Sequence, residues 1–106
     1  YSKITSIIIP EGITEIPDGL FESCRAIKYV NVLGRITSIG KDAFVNAINL
    51  EYIYIPNSVL NIGELAFGSG VNNFEIHYEG TETEWNSITK PDNWNNSVYC
   101  TMVFNA

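Results

Sequence analysis

His77 is the sole histidine of this 106-residue chain, so proton transfer near neutral pH would have to be sought around it. A nucleophilic site also needs a Ser or Cys within hydrogen-bond reach of the ring and a third group to orient it. The internal repeat described below instead gives His77 the neighbours Tyr54 and Asn31, neither a nucleophile. Glu79, Glu82 and Glu84 are close enough in sequence to raise the paired carboxylates of a glycosidase or an oxygen-donor calcium site. No D-x-D-x-D-G loop accompanies them. They surround an expected helix N-terminus, where the helix dipole alone stabilises acids. Two distant cysteines, Cys24 and Cys100, and one histidine do not supply the closely spaced ligands of a metal site. Catalytic, metal and cofactor chemistry therefore all lack a constellation, and the elements that hold these residues become the better guide.

Those elements come from a repeat with a period of 23 residues. ITSIIIPEGITEIPDGLFESCRA (4–26), IKYVNVLGRITSIGKDAFVNAIN (27–49) and LEYIYIPNSVLNIGELAFGSGVN (50–72) align without a gap. A fourth unit opens as NFEIHYEG at Asn73 and then departs from the pattern. Apolar residues fall in columns: Ile4, Ile27, Leu50; Ile7, Val30, Ile53, Ile76; Ile9, Val32, Ile55, Tyr78; Ile13, Ile36, Val59; Ile16, Ile39, Ile62; Phe21, Phe44, Phe67. A unit of this length cannot bury such residues alone, but stacked units can turn each column into a continuous core stripe.

Within each unit the opening segment, such as EYIYI, alternates like a half-buried strand. Pro10 or Pro56 closes it, since proline cannot donate to a continuing ladder; Leu33-Gly34 takes that place in the second unit. ITEI, ITSI and VLNI read as a second, short strand. GKDAFVNA and its equivalents suit a single turn or 3₁₀ piece. Successive strands should be parallel and about 4.8 Å apart.

The shared pattern, close to LxxIxIPxxVxxIGxxAFxxCxx, resembles the BspA-type leucine-rich repeat, strongly over residues 4–72. The tail IHYEGTETEWNSI (76–88) resembles the segment that often closes such arrays. The resemblance implies a right-handed, β-rich leucine-rich-repeat solenoid, with its parallel strands on the concave face. It also implies interaction or adhesion roles in bacterial cell-surface or secreted proteins, and no shared catalytic residues. Cys24 alone fills the family's cysteine column, with Ala47 and Gly70 in the other units.

The C-terminal third reads as a cap. Thr81-x-x-Glu84 has the form of a capping box, starting a helix expected to run to about Ile88 and end before Lys90-Pro91. Trp85 and Ile88 would cover the last coil from one face, Trp85 falling in the column of Ile16, Ile39 and Ile62. VYCTMVF (98–104) alternates again and adds a final strand. Nothing comparable precedes Ile4. An uncapped N-terminal face is expected, as in the C-terminal part of a longer repeat protein or in a short solenoid that pairs that end in a dimer. The whole chain, 1–106, reads as one domain. Cys24 and Cys100 lie several coils apart, too far for a disulfide, so two unpaired thiols are expected. Export is then neither signalled nor excluded by cysteine usage.

The net charge is −6, and residues 51–106 carry seven acids against Lys90 alone. An acidic chain without a basic stripe is a poor holder of phosphate backbones or anionic membrane. No apolar run approaches the roughly 20 residues needed to span a bilayer, and no secretory leader opens the sequence at Tyr1. Asn95-Asn96-Ser97 has the form of a glycosylation acceptor, a triplet that an Asn-rich tail yields by chance.

The residues interleaved with the core isoleucines must project outward. One column is Ser6, Tyr29, Tyr52, Glu75; the other is Ile8, Asn31, Tyr54, His77. Tyr29, Asn31, Tyr52, Tyr54 and His77 form a mixed aromatic and polar patch of the kind that binding surfaces favour. The competing reading is that aromatic neighbours merely stabilise the ladder. The leading expectation is a non-enzymatic, surface or secreted module that binds a protein or glycan through the strand face. The alternative is a structural spacer with no ligand of its own.

Overall fold

Alternating apolar residues form the strands wherever they face one another at the repeat period. A computed structural model describes residues 5–68, 74–95 and 100–106. Ile4, Gly70, Asn96-Ser97 and the Val98-Tyr99 start of the last strand lie outside the described residues. The elements are β1 (Ser6–Ile9), β2 (Glu15–Ile16), β3 (Tyr29–Val32), β4 (Ser38–Ile39), β5 (Tyr52–Ile55), β6 (Asn61–Ile62), β7 (Phe74–Tyr78), α1 (Glu82–Asn86) and β8 (Cys100–Val103). One parallel sheet has the order β1-β3-β5-β7-β8, and a second has the order β2-β4-β6. The chain is a parallel β-solenoid of about four turns.

Register follows the 23-residue columns. Ile7, Val30, Ile53 and Ile76 are Cα partners in sequence, as are Ile9 and Val32 and then Ile55 and Tyr78. A slip of one residue would turn each apolar column to water, which is why the register is so firmly specified.

The third side of each coil is neither helix nor strand. Within a turn, Leu20 N–H donates to the Pro17 carbonyl and Glu22 N–H to that of Gly19, while the intervening Gly19, Phe21 and Ser23 donate to Lys41, Ala43 and Val45 of the next coil. Asp42 and Phe44 repeat the pattern toward Glu64 and Ala66. The turns thus form a third inter-coil ladder. It requires left-handed backbone at Gly19, Asp42 and Leu65 (φ 66°, 59° and 55°) and at Ser23 and Asn46 (φ 58° and 61°). The close fit also explains Gly40 and Gly63, where a Cβ would lie 2.5 Å from Asp18 N and 2.6 Å from Lys41 N.

The phenylalanine column stacks ring on ring. Phe21 to Phe44 is 5.2 Å and Phe44 to Phe67 is 5.3 Å between centroids. Phe74, whose column begins with Thr5, Lys28 and Glu51, extends this stack at 5.4 Å. Trp94 closes it edge-on to Phe67.

The C-terminal coil departs from simple periodicity. Thr89 bridges Asn61 from 28 residues further on, five more than the period, because α1 is inserted. Ile62 N–H reaches the Thr89 carbonyl, and Leu65 and Phe67 donate to Asn93 and Trp94. Trp85 therefore does not continue the ladder of Ile16, Ile39 and Ile62. It is buried instead against Tyr78 and Trp94. The helix is two residues shorter than expected, since the chain must leave it at Ser87 to place Thr89 beside Asn61. Ile88 is still buried, as expected.

At the other end, Ile13 is 41 % exposed where Ile36 of the same column is 0 %. Leu20 is exposed where Ala43 and Ala66 are buried. Among the described residues the first coil pairs with the coil that follows it, and its Ile9 and Ile16 are buried while Ile13 and Leu20 are exposed.

Phe44→Ala is expected to cost about 3–5 kcal/mol, because its ring is sandwiched and fully buried. Phe21→Ala, at the half-covered end of the stack, should cost clearly less. Urea unfolding of the two variants checks the difference.

Candidate functional site

The strand face is built by the residues that the pleat turns outward. Across the five strands they form two rows: Ser6, Tyr29, Tyr52, Glu75, Thr101 and Ile8, Asn31, Tyr54, His77, Val103. Rigid parallel pairing holds each side chain at a fixed height on the sheet.

Three of the five expected site residues form one continuous strip. The Tyr29 and Tyr52 rings lie 5.1 Å apart at 45°. Tyr52 then meets His77, its diagonal neighbour on β7, at 5.1 Å and 40°. Tyr29 and Tyr52 remain 36 % and 37 % exposed. Asn31 lies beside the strip and is exposed. Tyr54 is drawn away from it, half-buried, with its hydroxyl donating to the Ala106 carbonyl at 3.3 Å. The closing segment makes this contact because Asn105 is left-handed (φ 59°), which lets Asn105 N–H bond the Gly80 carbonyl and Ala106 N–H that of Tyr78. Tyr54 thus serves partly as an anchor for residues 105–106. The outward alternation gave no sign of that contact, since it depends on a turn beyond the last strand.

His77 Nε2 lies 2.8 Å from Glu75 Oε1. These groups sit two apart on one strand, so they share its outer side. The pair is open to water, and its further neighbour is the Tyr52 ring.

The acidic cluster divides by role. Glu84 completes the expected capping box: Thr81 N–H donates to its Oε1 at 2.9 Å, and Glu84 N–H donates to Thr81 Oγ1 at 3.1 Å. Glu82 lies in the first helical turn. Glu79 is not engaged with the helix. Its Oε1 accepts the Asn57 backbone N–H at 2.8 Å and the Arg35 guanidinium at 2.8 Å, while Arg35 also holds the Asn57 side chain. Three successive coils are tied together at this corner. The Asn57 N–H and then Arg35 hold the Glu79 carboxyl below its ordinary value.

Cys24 and Cys100 are free thiols, both half-buried rather than fully enclosed. Burial pushes the Cys100 thiol up to about 11, against an opposing hydrogen bond with Asn95. Among the described residues no group of three or more His, Cys, Asp or Glu converges to hold a metal. No helix of the described residues is long and apolar enough to cross a membrane.

A repeating coil with one face of ordered side chains defines the chain as a solenoid repeat module. It matches the family described as BspA type leucine rich repeat region, in six copies over residues 1–98. With nearly the whole chain covered, the protein belongs to the BspA-type leucine-rich-repeat family. No curated protein and no solved structure matches the chain.

The lowered carboxyl of Glu79 stabilises the fold at pH values above the ordinary carboxylate range, and that contribution is lost as pH falls through the folded-state value. Glu79→Gln should therefore be less stable than the parent at neutral pH. The gap should close on acidification below about 4.5, the ordinary glutamate value. Urea midpoints measured from pH 7 to pH 3 check it.

Proposed function

We propose that this chain is a non-catalytic binding module of a cell-surface or secreted repeat protein, and that it takes a protein or glycan ligand on the strip Tyr29–Tyr52–His77 with Asn31 beside it. The observation that carries this reading is the strip itself: aromatic rings 5.1 Å apart, left partly open to water on a rigid sheet. Such rings offer large contact area at little entropic cost. Membership of a repeat family commonly found in surface and secreted proteins supports the location. The titratable pair of the face, His77 and Glu75, is turned to water and to itself, which suits recognition better than proton transfer. The alternative is a spacer in which the same rings serve only to stabilise neighbouring strands.

Immobilised glycans and extracellular proteins, screened against the chain and a Tyr29→Ala/Tyr52→Ala variant, separate the two. The binding module predicts retention that falls by roughly tenfold or more in the variant, as expected when central aromatic anchors are removed, with the melting temperature little changed. Binding untouched by the double substitution would overturn the assignment to this strip. Absence of any retention across the panel would favour the spacer.

A further inference from the structure

In the two outward rows of the five-stranded sheet, Glu75 is the single acid, and neither row holds a lysine or arginine. Charges just outside the rows are matched. Lys28 and Glu51 precede β3 and β5 in one column, and Glu79, beyond β7, is answered by Arg35 at 2.8 Å. Glu75 is placed differently. Its side chain is 51 % exposed, and among the described residues its one side-chain partner is His77, whose Nε2 lies 2.8 Å from Oε1. A carboxylate only accepts, so Nε2 carries the hydrogen. A neutral imidazole satisfies one oxygen but leaves the negative charge in place.

The surroundings of that charge define what answers it. Glu75 is the Cα partner of Tyr52 on the adjacent strand, and Tyr52 is that of Tyr29. Two tyrosines and a carboxylate therefore follow one another in a single row. His77 shows what such a row accepts: its planar ring meets the Tyr52 ring at 5.1 Å while its N–H meets Glu75. A guanidinium is also planar and also donates N–H bonds, and it adds the positive charge that imidazole lacks. Cations are attracted to a tyrosine face within about 6 Å of its centroid. On the far side of Glu75 its Cα partner is Thr101, a short and exposed residue. The ring angles speak against a flat sugar. Successive rings of the strip are turned by 45° and 40°, so no two share a plane on which consecutive pyranose faces would stack, whereas a compact cation needs one ring face. A sugar hydroxyl would also leave the charge of Glu75 unanswered.

We propose that the tyrosine strip and Glu75 together recognise a cationic side chain, arginine above lysine, and that the ligand of this face is a basic protein segment rather than a neutral glycan. The guanidinium lies against the tyrosine rings with its N–H groups on the Glu75 carboxylate. This rests on the reading of the strip as a binding surface and names its ligand class. The residues that carry it stand on β3, β5 and β7, each paired on both sides, so the site is built wholly within the array.

The test uses a labelled, end-blocked peptide of alternating serine and arginine, its citrulline counterpart, and fluorescence anisotropy on the full chain. Citrulline keeps the planar shape and removes the charge. The arginine peptide should bind roughly fivefold or more tightly than the citrulline peptide, and less tightly as salt rises. Glu75→Gln should weaken it by roughly fivefold or more. Glu82→Gln removes the same charge from the first turn of α1 and should leave binding unchanged. Tyr52→Phe should keep binding and Tyr29→Ala/Tyr52→Ala should lose it, because the ring rather than the hydroxyl carries the attraction. Equal binding of the two peptides, or a loss in Glu82→Gln as large as in Glu75→Gln, would overturn the proposal. So would retention of a neutral glycan that Tyr29→Ala/Tyr52→Ala abolishes and Glu75→Gln leaves alone; the strip would then stand as a binding surface with another class of ligand. Failure of the strip reading itself looks different: every retained ligand, the arginine peptide included, would bind the double tyrosine variant as it binds the parent.

Discussion

Everything in this protein depends on backbone hydrogen bonds between one coil and the next. Three ladders carry them: the five-stranded sheet, the three-stranded sheet and the row of turns in which Gly19, Phe21 and Ser23 donate to the coil that follows. Once the three must close together at one period, side-chain choice is constrained column by column. A column facing inward has to be apolar and matched in size to its neighbours, as Phe21, Phe44 and Phe67 are. A column where turns nearly touch has to lack a Cβ or bend around one, as Gly40 and Gly63 show. Outward columns are free of both demands, and that freedom is where function can be written.

The same constraint explains why burial differs from coil to coil. A coil in the middle is covered twice, so Ile36 and Phe44 vanish from solvent; the first described coil has one described neighbour, and its Ile13 stays exposed. At the C-terminus the problem is met by breaking the period. Five extra residues let α1 swing Trp85 and Ile88 over the last coil, and the chain then rejoins the ladders at Thr89, Asn93 and Trp94. Lys90 stabilises the end of that excursion: its ammonium donates to the Trp85 carbonyl at 3.1 Å and lies over the indole at 4.9 Å. The cap is thus a detour whose two ends are fixed by the repeat it closes.

How much of this was legible in the sequence follows from the range of each interaction. The strand columns were readable because period and alternation are local signals repeated three times, and the strand pairing bears them out. The capping box was readable because Thr81 and Glu84 are three apart. The turn side was much less so: left-handed backbone at Asp42 and Leu65 leaves no mark in residue type, as only Gly19 of that column is a glycine. The inserted helix misled the count, since a simple period assigns Trp85 to a ladder that Thr89 in fact joins. The outward strip was legible as a set of residues but not as a connected surface. Tyr52 meets His77 diagonally, Tyr54 is claimed by residue 106, and Glu79 is held by an arginine 44 residues earlier.

Side-chain position on such a sheet is set by the backbone rather than by the side chains' own contacts. Tyr29 and Tyr52 contribute a ring contact of the order of 0.2–1 kcal/mol to the ladder, small beside the buried phenylalanine stack beneath them. Substituting the outer residues therefore disturbs little of what holds the coil together, while substituting the inner ones dismantles it. A fold with that division can vary its outward rows from one coil to the next without re-solving its own stability. The progression Ser6, Tyr29, Tyr52, Glu75 in one row and Ile8, Asn31, Tyr54, His77 in the other, over an almost unchanging inner column, is what this separation looks like within a single chain. The aromatic strip is concentrated on β3, β5 and β7, the strands of the sheet that are paired on both sides. Side chains carried on such strands are ordered by the sheet rather than by one another, so little further ordering cost falls on any contact they make.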